Sequence, residues 1–471
     1  MDPKDAWNKA EPRLLMIVPW LNMGGADKFN LDLLQQLKRF GWEVFIATTV
    51  TSDDCWFDHF YRHTPRIMLL HRFLKISDYP RFLLHLIHSE SIDCVFLSHS
   101  ELGYLLLPYL RANAPGVAFV DYCHIEEEGR KTGGYPHVSL KYRDCLDLTA
   151  VSSQHLKNWM LQRGADSERV EVCYTNVDTI SWTPDKQLGE YVRETLGISD
   201  DIPVILYAGR LCPQKQPAVF SRVVLRLVQR GYRFISLVAG DGEDREWLEG
   251  FVRDHGLNEF VRFVGRISNP RMKELMVASD IFFLPSRWEG IAVTLYEAMA
   301  SGLAVVSAAV GGQQELVTEG CGLLLPRGNL QAEVDQYSQA IGALLDNPSL
   351  RIAMGQKARK RVTDQFHLDL MGERMVQLFE RARILNTQKS RPPVECGSKM
   401  ERGLGDLNYI QAYRIASSLW PGTDRPPAGR ELALYRKLRD NLEPLYRIGI
   451  KLGWRWLVAI KDLIKQRLGA V

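Results

Sequence analysis

Two carboxylates eight residues apart, Glu289 and Glu297, flank the point where an apolar run gives way to a helical one. Residues 280–285 are short, apolar and closed by a proline, which predicts a buried strand. Gly290 frees the turn that follows, and residues 293–301 place Leu295, Ala298 and Met299 at helical spacing. Glu289 then stands at the carboxyl end of a strand, where open α/β sheets hold their ligands. Glu297 lies about one turn inside the helix and can reach back to the same crevice. One carboxylate at the mouth with another behind it suits a ligand with hydroxyls at one end and a sugar ring at the other. Two glutamates also fall eight apart by chance in a chain with 56 acidic residues, so their company decides.

Gly209, Arg210 and Lys215 follow a second apolar run, residues 203–208. A guanidinium can fork onto phosphate oxygens and an ammonium adds a point charge, so the pair can stabilise a diphosphate that gains charge as it leaves. Two exposed cations capping a loop explain the same residues equally well. Gly240-Asp241-Gly242 is another strand-to-helix turn; it lacks the glycine spacing of a dinucleotide fingerprint, and it either supports the turn or lines a nucleotide pocket. Gly24 and Gly25 open a helix after the first strand, where backbone N–H groups attract phosphate. His124, ahead of Glu126, Glu127 and Glu128, closes a strand and can hydrogen-bond a sugar hydroxyl, although a lone histidine is more often structural. For Gly311-Gly312-Gln313-Gln314-Glu315, a structural turn is an adequate explanation.

Continuous apolar strands alternating with helices must position these residues. They run through residues 14–18, 43–49, 94–97, 117–120 and 148–151, then 203–208, 234–239, 261–264, 281–284, 304–307 and 322–325. That alternation indicates two parallel sheets, each covered on both faces, in an α/β fold with a cleft between two Rossmann-like domains. Residues 183–201 lack a clear core pattern, which places the junction there and divides the chain into 1–190, 191–385 and a Pro/Gly-containing and basic helical extension, 386–471.

At 471 residues the chain exceeds one core. The polar start Met1-Asp2-Pro3-Lys4-Asp5 is unlike a secretory signal, no run is long enough to span a bilayer, and the eight cysteines form no Cys-x-x-Cys pair. A cytoplasmic protein with reduced thiols and no metal is expected. The net charge of +3 conceals a basic tail: residues 431–471 hold nine Lys/Arg against four Asp/Glu. The body is therefore not basic and a nucleic-acid partner is not expected. Leu445, Ile448, Leu452, Trp456 and Leu463 form a stripe largely opposite the cations, which suits either a helix on an anionic membrane surface or one packed on the domains.

The ordered series Gly24-Gly25, His124, Gly209-Arg210 with Lys215, Gly240-Asp241-Gly242, Glu289-x7-Glu297 and Gly311-Gly312 resembles the retaining glycosyltransferases of family 4, which have the GT-B fold. The resemblance runs from about Leu14 to Leu385 and is closest from Tyr207 to Leu325. It implies that Arg210 and Lys215 neutralise the diphosphate of a UDP- or GDP-sugar and that Glu297 holds the ribose hydroxyls. It further implies that Glu289 contacts the transferred sugar, that Gly290, Ile291, Ala292 and Val293 present backbone amides to the sugar-phosphate, and that His124 bonds the sugar. Gly24 and Gly25 would line the phosphate and acceptor side. Transfer to a glycan or lipid-linked acceptor, without metal, cofactor or protein nucleophile, is the implied reaction. Where the family often has Glu-Gly-Phe-Gly, this chain has Glu289-Gly290-Ile291-Ala292, and the Ala292 methyl falls where backbone should approach the donor. A GT-B sugar-nucleotide epimerase and a non-catalytic scaffold with a nucleotide-sugar pocket are the alternative readings.

Overall fold

The computed structural model describes residues 11–127 and 133–388. They fall within one compact unit, residues 1–404. The basic run at 431–471, Glu128 and the rest of the extension lie outside the described residues.

Seven parallel strands form the first sheet: β1 (Arg13–Val18), β2 (Glu43–Thr48), β3 (Ile67–Leu69), β4 (Cys94–Ser98), β5 (Ala118–Cys123), β6 (Leu148–Val151) and β7 (Val170–Val172), in the order β3-β2-β1-β4-β5-β6-β7. Six more form the second: β8 (Val204–Ala208), β9 (Ile235–Ala239), β10 (Val261–Gly265), β11 (Ile281–Leu284), β12 (Ala304–Ala308) and β13 (Leu323–Leu325), ordered β10-β9-β8-β11-β12-β13. In both sheets the strand order reverses beside the first strand, between β1 and β4 and between β8 and β11, which opens a crevice at the carboxyl ends. The eleven apolar runs all become strands. The two strands they miss, β3 and β7, are edge strands of three residues each, too short to carry a period.

The division between the domains differs from the expectation. Residues 183–201 contain a helix, Lys186–Thr195, whose Gly189 lies so close to Val277 that a Cβ would sit 2.5 Å from its carbonyl oxygen. The chain instead crosses between 173 and 177, because Cys173 packs in the first core and Val177 and Trp182 in the second. It crosses back between Phe366 and Leu368. The helix Leu368–Gln388 therefore covers the first sheet, with Leu368, Met371, Met375, Leu378, Phe379 and Ala382 as its buried stripe. Burying each large side chain of that stripe contributes ~1.5–3 kcal/mol. The two crossings run side by side: Val177 N–H donates to Phe366 O at 3.0 Å, and Asn176 Nδ2 to His367 O at 3.0 Å. No helix among the described residues is long and apolar enough to cross a membrane. Seven cysteines fall among them as free thiols, six of them buried.

Candidate functional site between the two sheets

The loop after β11 and the loop after β8 are tied together. Gln214 O accepts from Arg287 N at 2.7 Å, and Gln214 Nε2 donates to Trp288 O at 3.0 Å. This brings Lys215 Nζ into direct contact with Glu289 Oε1, 74 residues away. Both side chains are largely buried, at 16% and 7% exposed, so each carries a counter-charge where desolvation would otherwise be costly. Arg210, beside them in sequence, is exposed and has no polar partner among the described residues. Gly240 supports this loop from behind: a Cβ there would lie 1.9 Å from Gly209 O.

The helix Val293–Ala300 begins directly after the Glu289 turn, and Ala292 at its cap makes no side-chain hydrogen bond to it. Leu295 N–H bonds back to Ala292 O at 3.0 Å, which leaves the N–H groups of Val293 and Thr294 to face an anion. The Ile291 and Ala292 side chains are buried in the second core. The methyl that replaces the family's glycine accordingly packs among apolar neighbours.

Glu297 is buried at 5% exposure. Burial raises its carboxyl to about 8, with Lys28 and Lys273 opposing the rise and Asp32 adding to it. Lys28 belongs to the helix Gly25–Arg39 of the first domain, where it pairs with Asp32. The unfolded chain titrates this glutamate near the usual ~4.3. Between those values the folded protein binds more protons, so the contribution of Glu297 to stability is full below the lower value and is lost as pH rises through about 8. Glu297→Gln, which copies the protonated form, should gain thermal stability relative to the parent as pH is raised from about 5 to about 9. An unchanging difference across that range would refute the raised value. Asp27, whose carboxyl burial raises to about 7, titrates in both proteins and cancels from the comparison.

The first domain faces these groups with the ends of β1, β4, β5 and β6. Gly290 abuts His124 O so closely that a Cβ would lie 2.2 Å from it, while Ser152 Oγ donates to the same carbonyl at 2.6 Å. A Cβ on Gly25 would meet Val293 Cγ2 at 3.5 Å, and one on Gly312 would meet Ser153 Cβ at 2.5 Å. Gly311, at φ +53°, turns against Glu289 O in a conformation that favours glycine. The His124 ring sits over Tyr122, 4.6 Å between centroids, and edge-on to Phe29 at 5.3 Å. Burial, with His99 beside it, pushes its pKa well below the usual histidine value, so the ring is neutral.

His99 is a residue that the sequence reading missed. It follows β4 with φ +41°, and burial lowers its pKa to about 4. Ser98 Oγ lies 3.1 Å from His99 Nδ1 and 3.2 Å from His124 Nε2. One hydroxyl therefore joins two neutral imidazoles. The signal available was Ser98-His99 at the carboxyl end of an apolar run. A separate cavity of about 400 Å³, lined by Ser139, Arg143, Asp147, Met160 and Arg169 among others, lies near the amino ends of β6 and β7 and includes none of these groups.

Two family models match consecutive parts of the chain along this architecture. Residues 23–180 match Glycosyltransferase Family 4, and residues 190–361 match Glycosyl transferases group 1. Among curated proteins, the chain is 30% identical over 244 residues to the GDP-mannose-dependent monoacylated alpha-(1-6)-phosphatidylinositol monomannoside mannosyltransferase of Corynebacterium glutamicum, covering 50% of this chain and 61% of that protein. It is 30% identical over 221 residues to the D-inositol 3-phosphate glycosyltransferase of Kribbella flavida, covering 45% and 51% respectively. The chain thus spans little more than half the length of these relatives. In fold it is similar to Anabaena HepE, solved in complex with UDP, with a TM-score of 0.67 at 18% identity over 78% of this chain and 99% of that one. With one model on each sheet and both sheets in the GT-B arrangement, the chain belongs to the family 4, group 1 glycosyltransferases.

Proposed function

We propose that this protein is a retaining, metal-independent glycosyltransferase that moves a hexose from a UDP- or GDP-sugar to a glycan or lipid-linked acceptor at the cytoplasmic face of a membrane. The observation that carries this reading is the largely buried Lys215–Glu289 contact, which joins the loop after β8, where exposed Arg210 also lies, to the loop after β11, from which the helix bearing buried Glu297 starts. In the proposed reaction the bond from the anomeric carbon to the donor phosphate breaks and one to the acceptor oxygen forms on the same face. The acceptor's proton passes to the departing phosphate. Arg210, Lys215 and the uncapped helix start at Val293 stabilise the charge that develops there. Glu289 accepts from a hydroxyl of the transferred sugar and holds Lys215 in place; Glu297 accepts from the ribose. Neutral His124 bonds the sugar from the opposite side. Catalysis then rests on positioning and charge stabilisation.

The names of the relatives support a nucleoside diphosphate hexose as donor: the Corynebacterium protein is GDP-mannose-dependent, and HepE was crystallised with UDP. NMR of the protein with a panel of UDP-, GDP- and ADP-sugars tests the reading. Slow hydrolysis or transfer of one donor, with the anomeric configuration retained, is the expected result; absence of binding to any donor would overturn it. The basic run at 431–471 is proposed to hold the enzyme at an anionic surface. Truncation before Glu431 should then reduce sedimentation with anionic liposomes, and equal sedimentation of both forms would remove this part of the proposal.

A further inference from the structure

The helix Gln154–Leu161 of the first domain is capped from the second. The side chain of its own cap, Ser153, accepts from Leu156 N at 3.1 Å. The first two N–H groups, of Gln154 and His155, donate to the two carboxylate oxygens of Glu315, each at 2.7 Å. Glu315 is about 160 residues away and follows β12, whereas such a cap normally comes from the same turn. A third donor, Tyr174 OH, reaches the same carboxylate at 2.8 Å from the segment where the chain first crosses between domains. Arg361, shortly before the return crossing, holds the backbone of the acid in place, with Nη2 donating to Glu315 O at 2.8 Å and Nε to Leu316 O at 2.7 Å.

The chain of contacts continues into the loop after β5. His155 Nε2 meets Glu126 Oε1 at 2.7 Å, and this hydrogen bond raises the histidine's pKa. Glu126 stands two residues beyond His124. We infer that Glu315 is a positioning residue: it locks the loops of the two sheets together and, through His155, sets the 124–127 loop against the site. The inference rests on the transferase reading for its kinetic consequence. Its hydrogen bonds reach none of Arg210, Lys215, Glu289 or Glu297, so the nucleotide side stays intact when it is lost.

Hydrogen exchange read by mass spectrometry tests this on Glu315→Ala and Glu315→Gln, alongside UDP and GDP titrations and transfer kinetics. In Glu315→Ala, amides at 154–155 and in 124–127 should exchange about tenfold faster or more, while β8 to β12 remain protected. Nucleotide affinity should hold within about threefold while kcat/KM for acceptor falls ~10- to 100-fold. Glu315→Gln keeps one acceptor oxygen and should fall between, and it carries the test if the alanine variant fails to fold. His155→Ala should loosen 124–127 and leave 154–155 protected. Unchanged exchange in both segments of a folded Glu315 variant overturns the inference. So does a loss of nucleotide affinity as large as the loss of transfer. If no donor supports transfer in the parent protein, the transferase reading fails, and the exchange pattern alone decides the role of Glu315.

Discussion

Glu289→Ala should lower kcat/KM for transfer by ~10²- to 10³-fold, a loss of the size seen when one transition-state contact is removed. Nucleotide binding should survive, for a specific reason. In the free protein the Glu289 carboxylate is the counter-charge of Lys215, and both are largely buried. Removing it leaves an uncompensated ammonium, which destabilises the empty protein; breaking a fully buried pair costs ~3–5 kcal/mol, and the partial exposure of Lys215 reduces that figure here. A diphosphate restores the missing negative charge, so UDP or GDP should raise the melting temperature of the variant more than that of the parent. Lys215→Ala should do the opposite, losing nucleotide affinity and turnover together. Calorimetric titration with transfer kinetics on the two variants checks the pair. Turnover above about a tenth of the parent's in Glu289→Ala would remove Glu289 from the chemistry.

Gly290→Ala should be nearly as damaging without touching any charged group. Its Cβ would lie 2.2 Å from the carbonyl oxygen of His124, a backbone atom of the opposite domain, and 3.3 Å from Ser152 Oγ. A backbone carbonyl cannot rotate away as a side chain can, so the two loops must separate by roughly 1 Å to restore ordinary contact. A displacement of that size between reacting groups costs about 10²-fold in rate. Gly116→Ala, outside the site, is the control. Its Cβ meets nothing within 4 Å, and its kcat/KM should stay within about threefold of the parent. Equal kinetics for the two variants would show that contact between the domains is not what sets the rate.

The amino-acid sequence alone determined the layered architecture and one half of the site. Apolar runs with a sharp end and a helical successor place Glu289, Gly209, Arg210 and Lys215 in loops after strands and Glu297 in the helix that follows, because periodicity and turn residues are local properties. It did not determine where the chain passes between domains. The stripe from Leu368 to Ala382 shows that a helix buries one face, and a stripe carries no information on which sheet receives it. Only the tertiary structure decided the pairings that make the groups work together: Lys215 with Glu289, Gly290 against His124 O, one serine hydroxyl between His99 and His124, and Glu315 at the start of a helix in the other domain. Each joins residues 26 or more positions apart, apart from the neighbours Ser98 and His99. Such contacts depend on which strands lie side by side within a sheet and on how the two sheets approach, and no pattern within a single segment encodes either.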